Sequence, residues 1–221
     1  MLFSRRAPED DTVVAMLASA IRRDISFGAL CPDEKLKIDD LRKRYGGSNH
    51  SMRESLRMLV SEGMVEATSQ RGFRVTSATE QDLADILFVR LEVEKLALSL
   101  AIEHGSVEWE AAVIAAHHQM KRCETVVQRD PDDASALEWD EACRAYTLTL
   151  VSACGSPRLI EMTGRFYNQS RRFRLARLRE GRVDFDARGR RHTALVAALI
   201  DRDVPAALVL LEEDTRADLR G

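Results

Sequence analysis

Two stretches of this sequence concentrate side chains that bind anions. The first runs from Arg42 to Arg74. Its seven cations (Arg42, Lys43, Arg44, Arg53, Arg57, Arg71, Arg74) less its three acids (Glu54, Glu62, Glu66) give +4, in a chain whose formal charge is -3. A basic island in an acidic chain suits a polyanion such as a nucleic-acid backbone. A solvated mixed-charge surface gives the same count. The second stretch, Arg158 to Arg191, holds eleven arginines and four acids. Arg171, Arg174 and Arg177 recur every three residues and so share a helix stripe. Guanidiniums turned inward from that stripe can fork onto a carboxylate. Turned outward, they form an ordinary charged face.

The elements that must carry these residues are mostly helical. Aromatics are 5% of the chain, which leans away from a β-sandwich, and 45% hydrophobic residues exclude disorder. Val14, Leu17, Ala18, Ile21 and Ile25 make one stripe of a first helix over 11–27 that Gly28 ends. A short helix follows from Ile38 to Tyr45, then a tight turn at Gly46-Gly47. Ser48 caps the next helix, although Ser51 with Glu54 is a second capping box one turn later. Met52, Leu56, Leu59 and Val60 form its buried stripe. The period then shortens: residues 64–67 and 73–76 read as two strands of a hairpin. Helix, helix, turn, helix, hairpin is the order of a winged helix-turn-helix, whose second turn-unit helix fits a major groove about 12 Å wide.

Beyond Thr79 only helices are expected: Glu80 to His104, Val107 to Arg129, Ser135 to Cys154, Pro157 to Glu180, Asp186 to Arg202 and Pro205 to Arg220. The chain is thus mainly α, with a winged helix-turn-helix over 1–78 and an all-helical bundle over 79–221. The longest apolar run, Ala194 to Ile200, falls far short of the ~18 residues of a membrane helix. The N-terminus has no apolar segment of a secretory signal. The expectation is a cytoplasmic protein without a membrane partner. Its cysteines, Cys31, Cys123, Cys143 and Cys154, lack any CxxC and are expected as buried thiols. His117-His118 reads as a partly exposed pair, and Trp109 and Trp139 as core or interface residues.

Ser48-Asn49-His50-Ser51-Met52-Arg53-Glu54-Ser55-Leu56 resembles the S-R-x-P-V-R-E-A-L pattern of the GntR transcription regulators. Leu59 to Val65 is similar to their L-x-x-E-G-L-V, and Arg71-Gly72-Phe73-Arg74-Val75 to their wing. Arg90-Leu91-Glu92-Val93-Glu94, Ala153 to Leu159, and His192 through Ala207 resemble signatures of the FadR/FCD subfamily. Pro32 to Leu36 and the Ala-Cys-Gly-Ser stretch resemble its CsiR-like branch. The resemblance implies a dimeric, effector-controlled regulator binding a palindromic operator in double-stranded DNA. Arg53, facing away from Met52 and Leu56, is then placed to grip a phosphate or a guanine edge. Asn49 and His50 open the helix where side chains reach base edges, with Ser48 before them. Asn49 stands where the family usually has Arg, which favours adenine instead. Arg71 and Gly72 at the wing tip and Arg42 and Arg44 before the turn are phosphate contacts. Asp39 replaces an arginine that contacts DNA in some relatives, so that contact is lost.

In the helical half the resemblance implies a small carboxylic acid as effector, a dicarboxylate or sugar acid. The arginines expected to hold it are Arg90, Arg172 and Arg174, with His192 beside them. Many such domains also bind a divalent metal through an Asp and a His four residues apart and two further His. The matching positions here are Cys143, Thr147, His192 and Asp214, of which only one is the expected type. Thiolate, imidazole and carboxylate still form a legitimate zinc or nickel set, so Cys143, His192 and Asp214 are the metal candidates. A metal-free pocket with a buried thiol is the alternative. Two rival functions remain: a metal-dependent hydrolase built on those three residues, and a helical adaptor that does not bind DNA.

Overall fold

The computed structural model describes residues 8–68 and 72–217. The chain divides into two compact units, Met1–Thr79 and Glu80–Gly221. The first holds α1 (Pro8–Ser26), α2 (Ile38–Tyr45) and α3 (Asn49–Ser61) with a small sheet of β1 (Lys35–Leu36), β2 (Val65–Thr68) and β3 (Gly72–Val75). The sheet order is β1-β3-β2, antiparallel throughout, with Val65 opposite Val75 and Lys35 opposite Arg74. The hairpin expected from sequence is therefore the larger part of a three-stranded sheet. A two-residue strand has no alternation to detect. β1 is set by its neighbours, with Val75 N donating to Glu34 O at 2.9 Å and Asp33 N to Val75 O at 3.2 Å.

Val14, Leu17, Ala18, Ile21 and Ile25 are all buried, as their spacing required. They meet Met52, Leu56 and Leu59, each fully buried, while Val60 is only partly so. Each of these large side chains contributes roughly 1.5–3 kcal/mol by leaving water. The turn between α2 and α3 needs its two glycines. Both have positive φ (80° and 81°), and a Cβ on Gly47 would meet Leu17 Cδ1 at 2.8 Å.

The second unit contains, among the described residues, only helices: α4 (Glu80–His104), α5 (Val107–Arg129), α6 (Asp133–Val151), α7 (Pro157–Arg179), α8 (Phe185–Ile200) and α9 (Val204–Ala217). Ser106, Asp132, Ser156 and Asp184 cap α5, α6, α7 and α8 by accepting from the third backbone N–H of each. On α7, Phe166, Phe173 and Leu178 are only half-buried, and the inner face carries Thr163, Gly164, Tyr167, Ser170, Arg171, Arg174 and Leu175. Trp109 and Trp139 are buried. Of the cysteines, all free, Cys143 and Cys154 are buried, Cys123 is half-exposed and Cys31 is exposed, so burial was correct for two of four. No helix among the described residues is long and apolar enough to cross a membrane.

Candidate nucleic-acid interface and ligand pocket

The start of α3 is fixed by a reciprocal capping box. Ser51 N donates to Ser48 Oγ at 3.0 Å, and Ser48 N donates to Ser51 Oγ at 2.9 Å. This selects Ser48 over the later start at Ser51, because both orphan donors are satisfied at once. Ser55 Oγ donates to Val14 O at 2.9 Å, and Arg22 pairs with Glu62 at 2.6 Å, tying α3 to α1 at both ends. With Met52, Leu56 and Leu59 inward, the opposite face carries Asn49, His50 and Arg53, all exposed. These positions share one side of the helix by their spacing of three and four. Arg53 has no ion-pair partner among the described residues.

Arg42 reaches the same corner. It donates to Gly47 O and to Asn49 Oδ1, each at 3.3 Å. Arg44 is turned elsewhere. It pairs with Asp24 and lies 5.2 Å from the Tyr45 ring, while Tyr45 Oη donates to Asp24 at 2.5 Å. Burial and the Asp24 carboxylate hold that phenol well above its ordinary range. Ser48 spends its hydroxyl on the cap. Gly72 opens β3 opposite Thr68. Arg71 lies outside the described residues. The structure thus brings Arg53, Asn49, His50 and Arg42 together and assigns Arg44 and Ser48 to internal contacts.

In the helical unit the buried charges are paired. Asp140, fully buried on α6, accepts from Arg171 Nε at 2.5 Å and Arg174 Nε at 2.9 Å. Arg174 also donates to Ser170 Oγ at 2.6 Å and lies 3.7 Å over the Tyr167 ring. Arg90 Nε donates to Glu94 Oε1 at 2.8 Å, one turn along α4. Burial pushes the Glu94 carboxyl above its usual range despite that arginine. His192 Nε2 meets Asp214 Oδ2 at 3.0 Å, and Arg191 Nε donates to the other oxygen at 3.1 Å. Burial opposes the Asp214 charge, but His192 and the arginines outweigh it and hold the carboxyl well below its usual range.

Arg90, Glu94, Tyr146, Tyr167, Arg174, Arg188 and His192 line one small chamber of about 30 Å³. Four buried atoms on its wall, Glu94 Oε2, Tyr146 Oη, Tyr167 Oη and His192 Nδ1, have no hydrogen-bond partner among the described residues. Each orphaned group costs about 1–3 kcal/mol unless water or a ligand satisfies it. Arg174 and Arg188 also line a larger pocket of about 590 Å³, within the roughly 300–1,000 Å³ of small-molecule sites. Its other cations are Arg177, Arg182, Arg191 and Arg216, against Asp184 and Glu213. Arg90, Arg174 and His192 are therefore brought together as expected. Arg172 is not. It is half-buried beside the Phe173 ring at 5.4 Å and lines neither space.

The metal set does not assemble. Among the described residues no three His, Cys, Asp or Glu side chains are grouped to hold an ion. His192 Nε2 is taken by Asp214. Burial pushes the Cys143 thiol up to about 12, and the cation against it is Arg188, whose Nη2 lies 3.3 Å from Sγ. That guanidinium would also repel a metal ion approaching the sulfur. Sequence reasoning missed Arg188, although it stands one turn before His192 on the same face of α8. It also missed Asp140, Tyr146 and Tyr167, whose positions carry no local signal. His117 is half-buried against Tyr146 and His192, with ring centroids at 5.6 and 6.4 Å. Burial and the neighbouring His192 lower its pKa to about 4.

The exposed face of α3 suits a nucleic acid, and the helical unit holds a pocket of small-molecule size. Comparison with known proteins agrees. Residues 14–75 match "Bacterial regulatory proteins, gntR family", and residues 85–216 match the FCD domain. The chain belongs to the GntR family and is a DNA-binding transcription regulator of the GntR/FCD type. It is 34% identical over 196 residues to the HTH-type transcriptional repressor GlaR of Escherichia coli K12, covering 87% of this chain and 88% of that one. It is 34% identical over 154 residues to BphR of Paraburkholderia xenovorans LB400, an HTH-type regulator, covering 70% and 62%. Among solved structures, E. coli McbR/YncC shares the fold with a TM-score of 0.71 at 22% identity, covering 92% and 93%. The relatives are named transcription regulators, not enzymes, which removes the hydrolase.

Proposed function

We propose that this regulator binds a near-palindromic operator as a homodimer, and that a small carboxylic acid bound in the helical unit changes its operator affinity. The observation that carries the reading is the chamber wall, where four unsatisfied buried polar atoms stand among three arginines beside a ligand-sized pocket. Operator contact rests on Arg53, Asn49 and His50, with Arg42 beside Asn49. Two large apolar side chains exposed on α4, Phe88 and Leu96, support a face between two copies. GlaR is named a repressor, and repression relieved by the acid is the corresponding role here, in the cytoplasm.

The test is direct. The operator is recovered by selecting DNA fragments bound by the full-length protein, and its affinity is measured with and without saturating acid. Effector control requires the affinity to change by about 5- to 150-fold, a coupling of roughly 1–3 kcal/mol. An unchanged affinity at saturation sinks it. Arg53→Ala is expected to weaken operator binding by about 1–3 kcal/mol while leaving the melting curve alone. A helical adaptor would lose nothing.

A further inference from the structure

We propose that Arg188 receives the carboxylate of the effector, and that this binding requires no metal ion. The inference rests on the acid-binding reading above and goes further, naming the group that holds the acid. Arg188 is at the junction of the two spaces, lining both the small chamber and the larger pocket. Its guanidinium touches Cys143 Sγ at 3.3 Å, approaches Glu124 Oε1 at 3.3 Å and sits 5.5 Å from the Trp139 ring. Of the three candidate metal ligands, Cys143 therefore faces a fixed cation, and His192 and Asp214 hold each other. A divalent ion placed among them would sit beside that positive charge, which repels it in a site of low dielectric. The guanidinium can do what the ion would do for an acid. It presents parallel N–H groups that match the two oxygens of a carboxylate, and it needs no ligands of its own.

Arg174 is the other cation shared by both spaces, but it is committed to Asp140 and Ser170. Arg191 is committed to Asp214. Arg188 lies outside the Asp140 network: it touches the Cys143 thiol at 3.3 Å and pairs with Glu124 at 3.3 Å. An incoming carboxylate can bind this arginine without dismantling the buried Asp140 network. The body of the acid then occupies the 590 Å³ pocket. The 30 Å³ chamber admits no more than a single small polar group, by the water-sized measure of about 10–15 Å³ per site.

Trp139 lines the larger pocket beside Arg188 and supplies the readout. Full-length protein is titrated with acetate, succinate, glutarate, malate and citrate while tryptophan emission and melting temperature are followed, before and after EDTA dialysis. At least one acid is expected to shift both signals, with a Kd unchanged within about twofold by EDTA. Arg188→Gln is expected to weaken that acid more than about tenfold, and Arg188→Lys to restore only part, because an ammonium lacks the fork. Cys143→Ser removes the thiol, leaves the arginine, and is expected to hold the Kd within about threefold. Loss of binding in EDTA or in Cys143→Ser overturns the proposal in favour of a metal. Binding that survives Arg188→Gln overturns it while leaving the acid-binding reading intact. Silence across the whole panel overturns both.

Discussion

The arginines of the two units have the same side chain and opposite surroundings. On the head, Arg53 and Arg42 stand in water at the edge of α3. In the bundle, Arg171 and Arg174 are nine-tenths buried and share one carboxylate, Asp140. An exposed guanidinium loses little water on meeting a phosphate and releases a counterion in doing so, so its contribution is salt-dependent and sequence-tolerant. A buried one has already given up its hydration and must be paired at all times. Its partners then hold it in a fixed direction, as discrimination among small acids requires. In the proposed function the same residue type thus serves long-range attraction in one unit and fixed geometry in the other.

The strongest way to break this comparison is Asp140→Ala. It strands Arg171 and Arg174 without their shared partner and is expected to cost about 3–5 kcal/mol, lowering the melting temperature by roughly 10 °C. A loss near zero would mean that these arginines are hydrated after all. Arg42→Ala sharpens the other side. It should weaken operator binding on all sequences alike and reduce the slope of log affinity against log salt by about 1, with no change in melting. A change in base preference would instead mark Arg42 as positioning Asn49. The smallest effect is expected at His117. Its folded pKa of about 4 lies below the unfolded value of 6.5. Between those values the unfolded chain takes a proton that the folded one refuses, so stability falls as pH drops from 6.5 towards 4. The side chain is partly exposed, so the loss should stay under about 1 kcal/mol. Melting curves of His117→Asn, flatter over that range than those of the parent, would confirm the source.

Much of the architecture was legible because its signals are local. The bounds Glu80–His104 and Val107–Arg129 follow from Gly105 as a breaker and Ser106 as a cap, two residues that act on the backbone beside them. The same holds for Gly46-Gly47 and Ser48, which place Asn49, His50 and Arg53 at the start of α3. The pocket was only half legible. Arg90, Arg174 and His192 could be named, but Arg172 lines neither space, and Arg188, which lines both, was missed. In an arginine-rich helix the sequence does not say which guanidinium turns inward. That depends on where a carboxylate lies across the interface, and Asp140 is on another helix.

By itself the sequence determined the two-part organisation, the nearly all-helical second half and the exposed face of α3. These depend on capping, glycine conformations and apolar period, all set within a few residues. The tertiary structure alone decided that Lys35–Leu36 forms a third strand, that Arg44 turns to Asp24, and that Arg188 rather than a metal set faces Cys143. Each of these is a pairing between residues at least 20 positions apart. No local pattern encodes such a pairing.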